Sequence, residues 1–412
     1  MRVEGTLVAE DRVWQGAVVI DDATGLIVSV EDARGESDLD TTGCLIFPGF
    51  GDIHIHARED ASGKQMYKED FTTTSAAAVH GGVVQVADMP NNVIAPVNDE
   101  LYAEKEKLTA KSDVHVTLYA GIGPTTNPLH RHVPYKAFMG PSVGDLFFTS
   151  AEQLEQAIAR YRGKNVSFHC EDPIIMDAHR GEPTHEERRP AQAEVSATAL
   201  ALQLIEKYEL QGKLCHYSTR EGLPMIVAAK QRGVKVTAEV TPHHLFFDTS
   251  SLTEENRLWL QMNPPLRATE DRLAMIEALR RGDIDYVATD HAPHSHEEKL
   301  KGASGVPHLD TLAPFATWLM AEHGFTPELI CKYFSANPAR FVREFLPKEL
   351  GEGFGAIAAG YAGSLTVLDM QTPYTVTRES VKTKCAWSPF EGFTFPGSVR
   401  ATILRGKVFG NG

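Results

Sequence analysis

Eight short apolar segments recur along residues 46–290, and most of them are followed by a stretch with helical periodicity. The segments are IFPGFGDIHIH (46–56), VVQVADM (83–89), VHVTLYAGI (114–122), VPYKAFM (133–139), NVSFHCE (165–171), KLCHYS (213–218), VKVTAEV (234–240) and IDYVATD (284–290). Such segments, bounded by polar or glycine-rich residues, are typical of buried parallel strands. Eight strand–helix units are the number that closes a TIM-type barrel. The sequence therefore predicts an α/β protein with a (β/α)₈ barrel over residues 46–355.

The segments on either side of this region contain short alternating strands broken by glycine and aspartate turns. Residues 1–45 include GAVVIDD and GLIVSVED, and residues 356–412 include GSLTVLD and SVRATILRGKVFG. Chain termini often lie close together at a domain surface. We therefore expect the two ends to form one small β-sandwich domain beside the barrel.

The composition argues against several other classes of protein. Of the 412 residues 42% are hydrophobic, and 40 Lys and Arg stand against 55 Asp and Glu, giving a net charge of −15. An acidic chain whose charges are spread along its length is unsuited to nucleic acid or an anionic membrane surface. The five cysteines lack CxxC spacing, which argues against a disulfide framework and favours a reducing compartment. The N-terminal sequence lacks the features of a signal peptide, so we expect a cytoplasmic protein.

Two histidines at the end of the first predicted strand are the first candidates for chemistry. His54 and His56 are one residue apart, so on a strand both imidazoles point to the same face and can share one cation. The same spacing also fits two structural histidines, one of them packed in the core. Their position favours a functional role, because TIM-barrel enzymes place catalytic groups at the carboxyl ends of the strands.

Three further polar residues end other predicted strands. His169 and His216 close the fifth and sixth strands, and Asp290 closes the eighth, where an aspartate is either a helix N-cap or a functional carboxylate. Four imidazoles and one carboxylate at the same end of a barrel form a ligand set that suits Zn²⁺ or a similar divalent ion. The pattern predicts a metal-dependent enzyme, and a metal-storage protein without turnover is the alternative with the same ligands.

Lys136, in the fourth predicted strand, is the candidate that could hold two ions together. Two dications a few ångströms apart repel each other unless negative charge lies between them. An unmodified lysine is positively charged and is usually solvated, whereas a lysine that has taken up CO₂ carries a carbamate that resembles a carboxylate. We therefore interpret Lys136 as a candidate bridging ligand in its carboxylated form.

The order of these residues resembles the amidohydrolase superfamily, and the surrounding motifs resemble its dihydroorotase family. The motifs are PGFGDIHIHAR, DMPNN, HCED, HYSTREG, NPPLR, ATDHAPH, SANPAR and KCAWSPFEG, and they span most of residues 43–410. The resemblance implies a dinuclear zinc site whose ligands are His54, His56, carboxylated Lys136, His169, His216 and Asp290. It also implies that a hydroxide bridging the two metals attacks a cyclic amide while Asp290 acts as general acid and base.

Residues around these ligands imply the substrate. Arg58, Asn91 and His294 match the positions with which dihydroorotases hold the free carboxylate of L-dihydroorotate, and Asn263 matches a contact to the pyrimidine ring. An arginine suits a carboxylate because it can make a bidentate, charge-assisted contact. Taken alone, each of these is also an ordinary loop or turn residue, and Asn92 competes with Asn91 for the same task. The implied reaction is the reversible hydrolysis of L-dihydroorotate to N-carbamoyl-L-aspartate in de novo pyrimidine synthesis, carried out by a homodimer.

Two motifs depart from the dihydroorotase pattern. This chain reads HAREDAS where many dihydroorotases read HLREPG, and DMPNN lies between the MPNT of dihydroorotases and the DMPLN of allantoinases. Allantoinase or hydantoinase activity, of the dihydropyrimidinase type, therefore stays open as an alternative. A family member that has lost its metal and serves as an assembly protein is another, although such proteins usually lack several of the ligands that this chain retains. The neighbouring residues Cys170, Cys215, His243, His244, His291 and His296 are interpreted as packed or supporting side chains.

Overall fold

The computed structural model describes residues 1–140 and 146–410; residues 141–145, within the predicted barrel, and residues 411–412 lie outside the described part. The strands in chain order are β1 (Arg2–Val8), β2 (Val13–Ile20), β3 (Ile27–Glu31), β4 (Cys44–Pro48), β5 (Phe50–Ile55), β6 (Val83–Asp88), β7 (His115–Leu118), β8 (Ala120–Ile122), β9 (Tyr135–Phe138), β10 (Asn165–His169), β11 (Gln211–Leu214), β12 (Val236–Val240), β13 (Tyr286–Val287), β14 (Leu365–Asp369), β15 (Tyr374–Thr375), β16 (Thr394–Phe395), β17 (Ser398–Leu404) and β18 (Lys407–Gly410). The α-helices in chain order are α1 (Phe71–His80), α2 (Asp99–Leu108), α3 (Ala151–Ile158), α4 (Pro173–Ala178), α5 (His185–Arg188), α6 (Ala191–Lys207), α7 (Leu223–Gln231), α8 (Pro242–Phe246), α9 (Thr269–Arg281), α10 (His296–Leu300), α11 (Leu312–His323), α12 (Pro327–Ile330) and α13 (Asn337–Val342), with a π-helical turn at Cys331–Ala336.

The central strands form a closed parallel barrel. Strands β5, β6 and β7 pair in that order, and β8 to β13 pair in chain order. Strands β7 and β8 are the two halves of one barrel strand, separated by Tyr119. The last strand meets the first through a parallel bridge between His291 and Ile55, and His56 N donates to His291 O at 2.8 Å. The barrel therefore has eight strands, and the predicted (β/α)₈ architecture is confirmed.

The first predicted barrel strand, residues 46–56, is in fact two strands of different sheets. Strand β4 pairs with β1 and β14, whereas β5 pairs with β6 of the barrel. Gly49 separates them, and a Cβ at this position would lie 2.4 Å from Val84 Cγ2. The chain changes sheets where this glycine lets the backbone pass close to β6, a tertiary contact that a continuous apolar run does not reveal.

The two ends of the chain form one β unit, as predicted. Its strands are hydrogen-bonded into one seven-stranded sheet in the order β18-β17-β14-β4-β1-β2-β3. Side chains of these strands form a separate apolar cluster, in which Leu7, Val18, Ile46, Leu365 and Ile403 are all buried. Strands β15 and β16 form a separate two-stranded antiparallel sheet.

The helices pack their apolar faces against the outside of the barrel. In α6 the buried residues Ala193, Ala197, Ala201 and Leu204 recur at intervals of three or four, which places them on one helical face. A distinct cluster fills the barrel interior, consisting of Ile53, Ala87, Met89, Tyr119, Cys215, Tyr286, Ala288, Phe341 and Val342. In the described part of the chain, no helix combines the length and apolar character required to cross a membrane.

Candidate metal centre

The ten residues predicted to form the site all line one cavity of about 370 Å³ at the carboxyl ends of the barrel strands. They are His54, His56, Arg58, Asn91, Lys136, His169, His216, Asn263, Asp290 and His294. A larger cleft of about 620 Å³ lies elsewhere, against β7, α2 and the C-terminal strands. The smaller cavity is the candidate site, because it gathers the titratable groups that the sequence places on different strands.

Three cavity residues have a left-handed backbone. The φ angles are 63° at Arg58, 37° at His216 and 49° at Asp290, a region that side chains other than glycine seldom adopt. Residues held in such conformations cost free energy and concentrate at functional sites, where the surrounding structure enforces them. Here the strain redirects side chains into the cavity at the ends of three barrel strands.

Buried carboxylates hold the main chain at these three positions. Asp88 accepts a hydrogen bond from Ala57 N at 2.8 Å, next to Arg58. Glu239 accepts one from His216 N at 3.1 Å, and Asp52 accepts one from Thr289 N at 3.1 Å, next to Asp290. All three carboxylates are at most 1% exposed. The strained turns are therefore tied to neighbouring strands by acceptors inside the barrel.

The imidazoles and Asp290 converge on a small volume. Asp290 Oδ1 lies 3.2 Å from His54 Nε2 and 3.0 Å from His56 Nε2. His169 Nδ1 lies 2.8 Å from His216 Nε2. Ligand atoms that surround one tetrahedral Zn²⁺ at about 2.0–2.1 Å are separated from one another by roughly 3.3 Å. The distances therefore fit side chains that share a cation.

The outer nitrogens of two histidines are occupied by carboxylates. His54 Nδ1 contacts Glu239 Oε1, which leaves Nε2 directed towards Asp290. His169 Nε2 lies 2.7 Å from Glu171 Oε2, and Arg189 Nε donates to Glu171 Oε1 at 2.9 Å. A carboxylate on one ring nitrogen fixes the tautomer and directs the lone pair of the other nitrogen to a metal.

Burial sets the protonation of the cluster. Removal from water holds the pKa values of His54, His56 and His216 well below the ordinary value, so these imidazoles are neutral and can offer lone pairs. Burial also raises the pKa of Asp290 to about 7. A carboxyl group with this pKa is suited to accept and release a proton near neutrality.

The residues present fit a divalent cation. Ligand atoms of His54, His216 and Asp290 all lie within 4.8 Å of one another, and all three residues are buried. Neutral imidazole nitrogens and a carboxylate oxygen form the donor set of catalytic zinc sites. The supporting carboxylates Glu239 and Glu171 add the orientation that such ligands require.

Lys136 lies in β9 at the bottom of the cavity and is fully buried. Its Nζ lies 2.8 Å from Cys215 Sγ, and in the described part of the chain no carboxylate oxygen lies within 4.0 Å of it. A buried ammonium group without an anionic partner is costly. Conversion to a carbamate would remove that positive charge and add two oxygen ligands.

Cys215 is packed, as interpreted, in the apolar cluster of the barrel interior, and it also contacts the cavity residue Lys136. Strand β11 ends at Leu214, and His216 has a φ of 37°, so the alternation of side chains along a strand does not extend to this pair. The Cys215 thiol therefore lies against Lys136. Cys170 packs in the main hydrophobic core. All five cysteines are free and buried.

A basic group forms one wall of the cavity. Arg58 is 3% exposed, and its Nη2 lies 3.4 Å from His294 Nε2. Among the described residues Arg58 Nε has no hydrogen-bond partner, and no carboxylate forms an ion pair with this guanidinium. Asn91 Oδ1, also buried, lacks a partner in the same part of the chain. The wall can therefore bind a ligand that carries an anion.

Asn91 and Asn92 have different surroundings. Asn91 lines the cavity, whereas the Asn92 side chain contacts Lys105 Nζ and donates to Glu59 O at 3.5 Å. Of the two candidates, Asn91 is the one whose side chain faces the cavity.

The remaining histidines contact other parts of the protein. His243 Nδ1 lies 2.9 Å from His308 Nε2, and His244 Nε2 lies 3.1 Å from Pro264 O. His291 Nε2 lies 3.3 Å from Glu69, and His296 packs against Trp259. These contacts agree with supporting roles for the four histidines that follow the seventh and eighth strands.

Sequence reasoning missed the supporting residues of the site. Glu239 and Asp52 lie inside largely apolar, fully or mostly buried strands, and Asp88 ends another such strand. A charged residue in a strand that is buried on both faces was the available signal, because such a group requires a partner. His185 was also missed; its Nε2 lies 3.0 Å from Met262 O and from Asn263 Oδ1.

Comparison with known proteins agrees with these observations. A model described as "Amidohydrolase family" matches residues 45–409. A protein named dihydroorotase from Pyrococcus furiosus is 30% identical over 98% of this chain and 91% of its own length. Dihydroorotases from Pyrococcus abyssi and Lactobacillus acidophilus are 33% and 30% identical, each over 98% of this chain and over 93% and 97% of their own lengths.

Solved structures show the same fold at lower identity. The L-hydantoinase (dihydropyrimidinase) from Arthrobacter aurescens has a TM-score of 0.88 and 22% identity, over 99% of this chain and 95% of its own. The dihydropyrimidinase from Brevibacillus agri has a TM-score of 0.82 and 20% identity, over 99% and 95% of the two chains. The likeness extends over the barrel and the terminal sheet together.

Proposed function

The chain belongs to the amidohydrolase family, and from that premise we propose that it is a dihydroorotase. It is a hydrolase that acts on cyclic amides, and its substrate is a small molecule. The proposed reaction is the reversible hydrolysis of L-dihydroorotate to N-carbamoyl-L-aspartate. The observation that carries the proposal is Arg58, a buried guanidinium without an ion-pair partner among the described residues, which lines the same cavity as Asp290. A substrate carboxylate would supply that partner.

The proposed cofactor is a pair of Zn²⁺ ions. Their ligands would be His54, His56, His169, His216, Asp290 and a carboxylated Lys136. Support comes from the neutral imidazoles of His54, His56 and His216 and from the carboxylates beside His54 and His169. The buried Lys136 amine, without an anionic neighbour in the described chain, adds to it. When bound, the ions supply an activated water molecule and polarise the amide carbonyl.

Asp290 is the proposed proton carrier. Its carboxylate oxygen lies close to two imidazoles, and burial raises the pKa of the group to about 7. It can therefore accept the proton of the attacking water and deliver it to the ring nitrogen as the amide bond breaks. The left-handed φ of 49° at Asp290 and the hydrogen bonds from Thr289 to Asp52 hold this strand end in place.

The side of the cavity that carries Arg58 and His294 would hold the substrate. Arg58 and His294, with Asn91, would bind the carboxylate that is not involved in the reaction. Asn263, held by His185 at 3.0 Å, would contact the ring. Interactions at both ends fix the reacting carbonyl relative to Asp290, and such positioning accounts for a large part of enzymatic rate enhancement.

The test is turnover by the purified, zinc-loaded protein. L-dihydroorotate hydrolysis and the reverse cyclisation of N-carbamoyl-L-aspartate are measured, with dihydrouracil and allantoin as ring amides that lack the carboxylate. Turnover of dihydroorotate alone would support the assignment of Arg58, Asn91 and His294. Turnover of the uncharged rings instead would overturn the proposal and favour a hydantoinase or allantoinase.

A further inference from the structure

A lysine outside the proposed catalytic set is buried beside the cavity. Lys299, in helix α10, is fully buried. Its Nζ donates to three main-chain carbonyl oxygens, those of Gln261 at 2.9 Å, Ala303 at 2.9 Å and Gly305 at 3.0 Å. In the described chain no carboxylate lies within ion-pair distance of this amine. Burial lowers the pKa of Lys299 to about 7, and the amine retains N–H donors in both protonation states.

These carbonyls belong to two loops that line the cavity. Asn263 lies in one loop, and the other consists of residues 303–305. The loops also contact each other directly, because Gly305 N donates to Gln261 O at 2.9 Å. Lys299 therefore ties together two walls of the same cavity.

The loop of residues 303–305 contacts the side of the cavity that carries Arg58 and His294. Gly305 has a φ of 137°, and a Cβ there would lie 2.9 Å from Ala292 Cβ and 3.0 Å from His294 Cδ2. Only glycine allows the backbone to approach the His294 ring this closely. A shift of this loop would therefore displace the His294 ring.

Helix α10 and Trp387 also contact His294. Glu298, the residue before Lys299, lies with its Oε2 3.3 Å from His294 Nδ1. Trp387 Nε1 donates to His294 O at 2.8 Å, and Lys299 Nζ lies 5.5 Å from the centroid of the Trp387 ring. Two adjacent residues of one short helix therefore contact different parts of the cavity: Glu298 contacts His294, and Lys299 fixes the loop that carries Asn263.

We propose that Lys299 is a positioning residue for substrate binding, which fixes the loop carrying Asn263 and the loop 303–305 at the correct distance from His294. It does not contact the reacting atoms. The proposal rests on the proposed function only in taking this cavity as the substrate site. Loss of the Lys299 amine should weaken binding of the substrate ring and leave the chemistry at Asp290 intact. KM should therefore rise by a larger factor than that by which kcat falls.

The kinetic test compares Lys299→Met, which keeps most of the length of the side chain but removes every donor, with Lys299→Gln, which is shorter and keeps two N–H donors. We expect KM to rise about tenfold in the methionine variant and less in the glutamine variant, with kcat changed by no more than about threefold. The matched control is Lys230→Met. Lys230 donates to Asp283 O at 2.8 Å and to Asp285 at 2.6 Å, away from the cavity, so its loss should lower stability and leave KM unchanged.

Hydrogen exchange of the Gly305 amide gives a readout that is independent of the substrate. In the unmodified protein we expect this amide to exchange slowly, and in Lys299→Gln at least about tenfold faster, with α6 amides unchanged. Fast exchange of Gly305 in the unmodified protein would overturn the proposal even if the methionine variant failed to fold. So would an unchanged KM together with unchanged exchange in Lys299→Gln. If dihydroorotate were not the substrate, the exchange result would still decide the role of Lys299.

Discussion

The carboxylate of Glu239 accepts a hydrogen bond from the main-chain N–H of His216 at 3.1 Å, at the point where the His216 backbone adopts a φ of 37°. The same carboxylate contacts His54 Nδ1 and Lys213 Nζ. One fully buried group therefore fixes the ring of one candidate ligand and the backbone of another. Glu239 therefore contacts Lys213 inside the barrel and also two residues of the candidate metal centre, His54 and His216.

Glu239→Gln should destabilise the protein. Burial by itself would lower the pKa of Lys213, but the Glu239 carboxylate raises it well above its usual value, so the Lys213 amine is charged. Removing the carboxylate leaves a fully buried ammonium group unpaired, which costs about 3 kcal/mol or more. Urea denaturation measures the change in the free energy of unfolding.

The double variant Glu239→Gln with Lys213→Met is the control for this prediction. It removes both charges, so it should recover part of the stability that the single variant loses. Recovered stability without recovered zinc binding would separate the two roles of Glu239. A single variant as stable as the unmodified protein would contradict the buried ion pair.

Glu171→Gln should weaken zinc binding. Glu171 Oε2 lies 2.7 Å from His169 Nε2, and Arg189 holds the carboxylate from the other side. Loss of such a supporting carboxylate typically costs about 10- to 100-fold in metal affinity or activity. Competition with a zinc chelator measures the affinity. Glu155→Gln, which changes an exposed carboxylate paired with Lys207, is the matched control and should leave the affinity unchanged.

The barrel and the candidate ligands could be predicted because both depend on local pattern. Apolar runs of strand length identify the eight strands, and polar residues at their ends identify His54, His169, His216 and Asp290. All of these line the cavity. Because the parallel strands of a barrel all end on the same side, residues that end different strands in the sequence lie close together in the structure.

The features that the sequence did not reveal depend on tertiary contacts. The division of residues 46–56 into two strands follows from the close approach of Gly49 to Val84. The position of Cys215 against Lys136 follows from the unusual backbone of His216, which breaks the strand alternation. Buried charges in strands were visible in the sequence, but their partners lie on other strands and emerge only when the barrel closes.

Stability should depend on pH through Glu194. This residue is 1% exposed, and burial raises the pKa of Glu194 to about 7, outweighing the nearby Arg267 and the hydrogen bonds from Ser218. In an unfolded chain the group would lose its proton near its ordinary value of 4.5. Between these values the folded protein binds more protons than the unfolded chain, so the contribution of Glu194 to stability falls as pH rises.

Glu194→Gln tests this dependence, because glutamine does not titrate. The free energy of unfolding of the unmodified protein minus that of the variant should decrease as pH rises from about 4.5 to about 7, and should be constant above that range. Urea denaturation at a series of pH values gives this difference. A difference that is independent of pH throughout would show that folding does not raise the pKa of Glu194, and would contradict the prediction.

Arg58→Met should reduce kcat/KM for L-dihydroorotate. Removing one partner of a desolvated charge pair costs about 2 kcal/mol or more, which is roughly 30-fold in kcat/KM. Arg58→Lys keeps the charge but not the bidentate fork, so it should lie between the methionine variant and the unmodified protein. Steady-state kinetics across a range of dihydroorotate concentrations measures the effect. Unchanged kinetic constants in the methionine variant would contradict the role of Arg58 in binding the carboxylate.

Asp290→Asn should abolish turnover while leaving the fold largely intact. The substitution keeps the shape of the side chain but removes the group that accepts and releases the proton, and general acid–base catalysis typically contributes about 10²- to 10⁴-fold. The matched control is Asp285→Asn, which changes the carboxylate paired with Lys230 and should lower stability without loss of activity. The turnover number, the zinc content and the urea midpoint of both variants are measured together. Full activity in Asp290→Asn with zinc bound would remove Asp290 from the mechanism, whereas inactivity with a native urea midpoint would place its function in the reaction and not in the core.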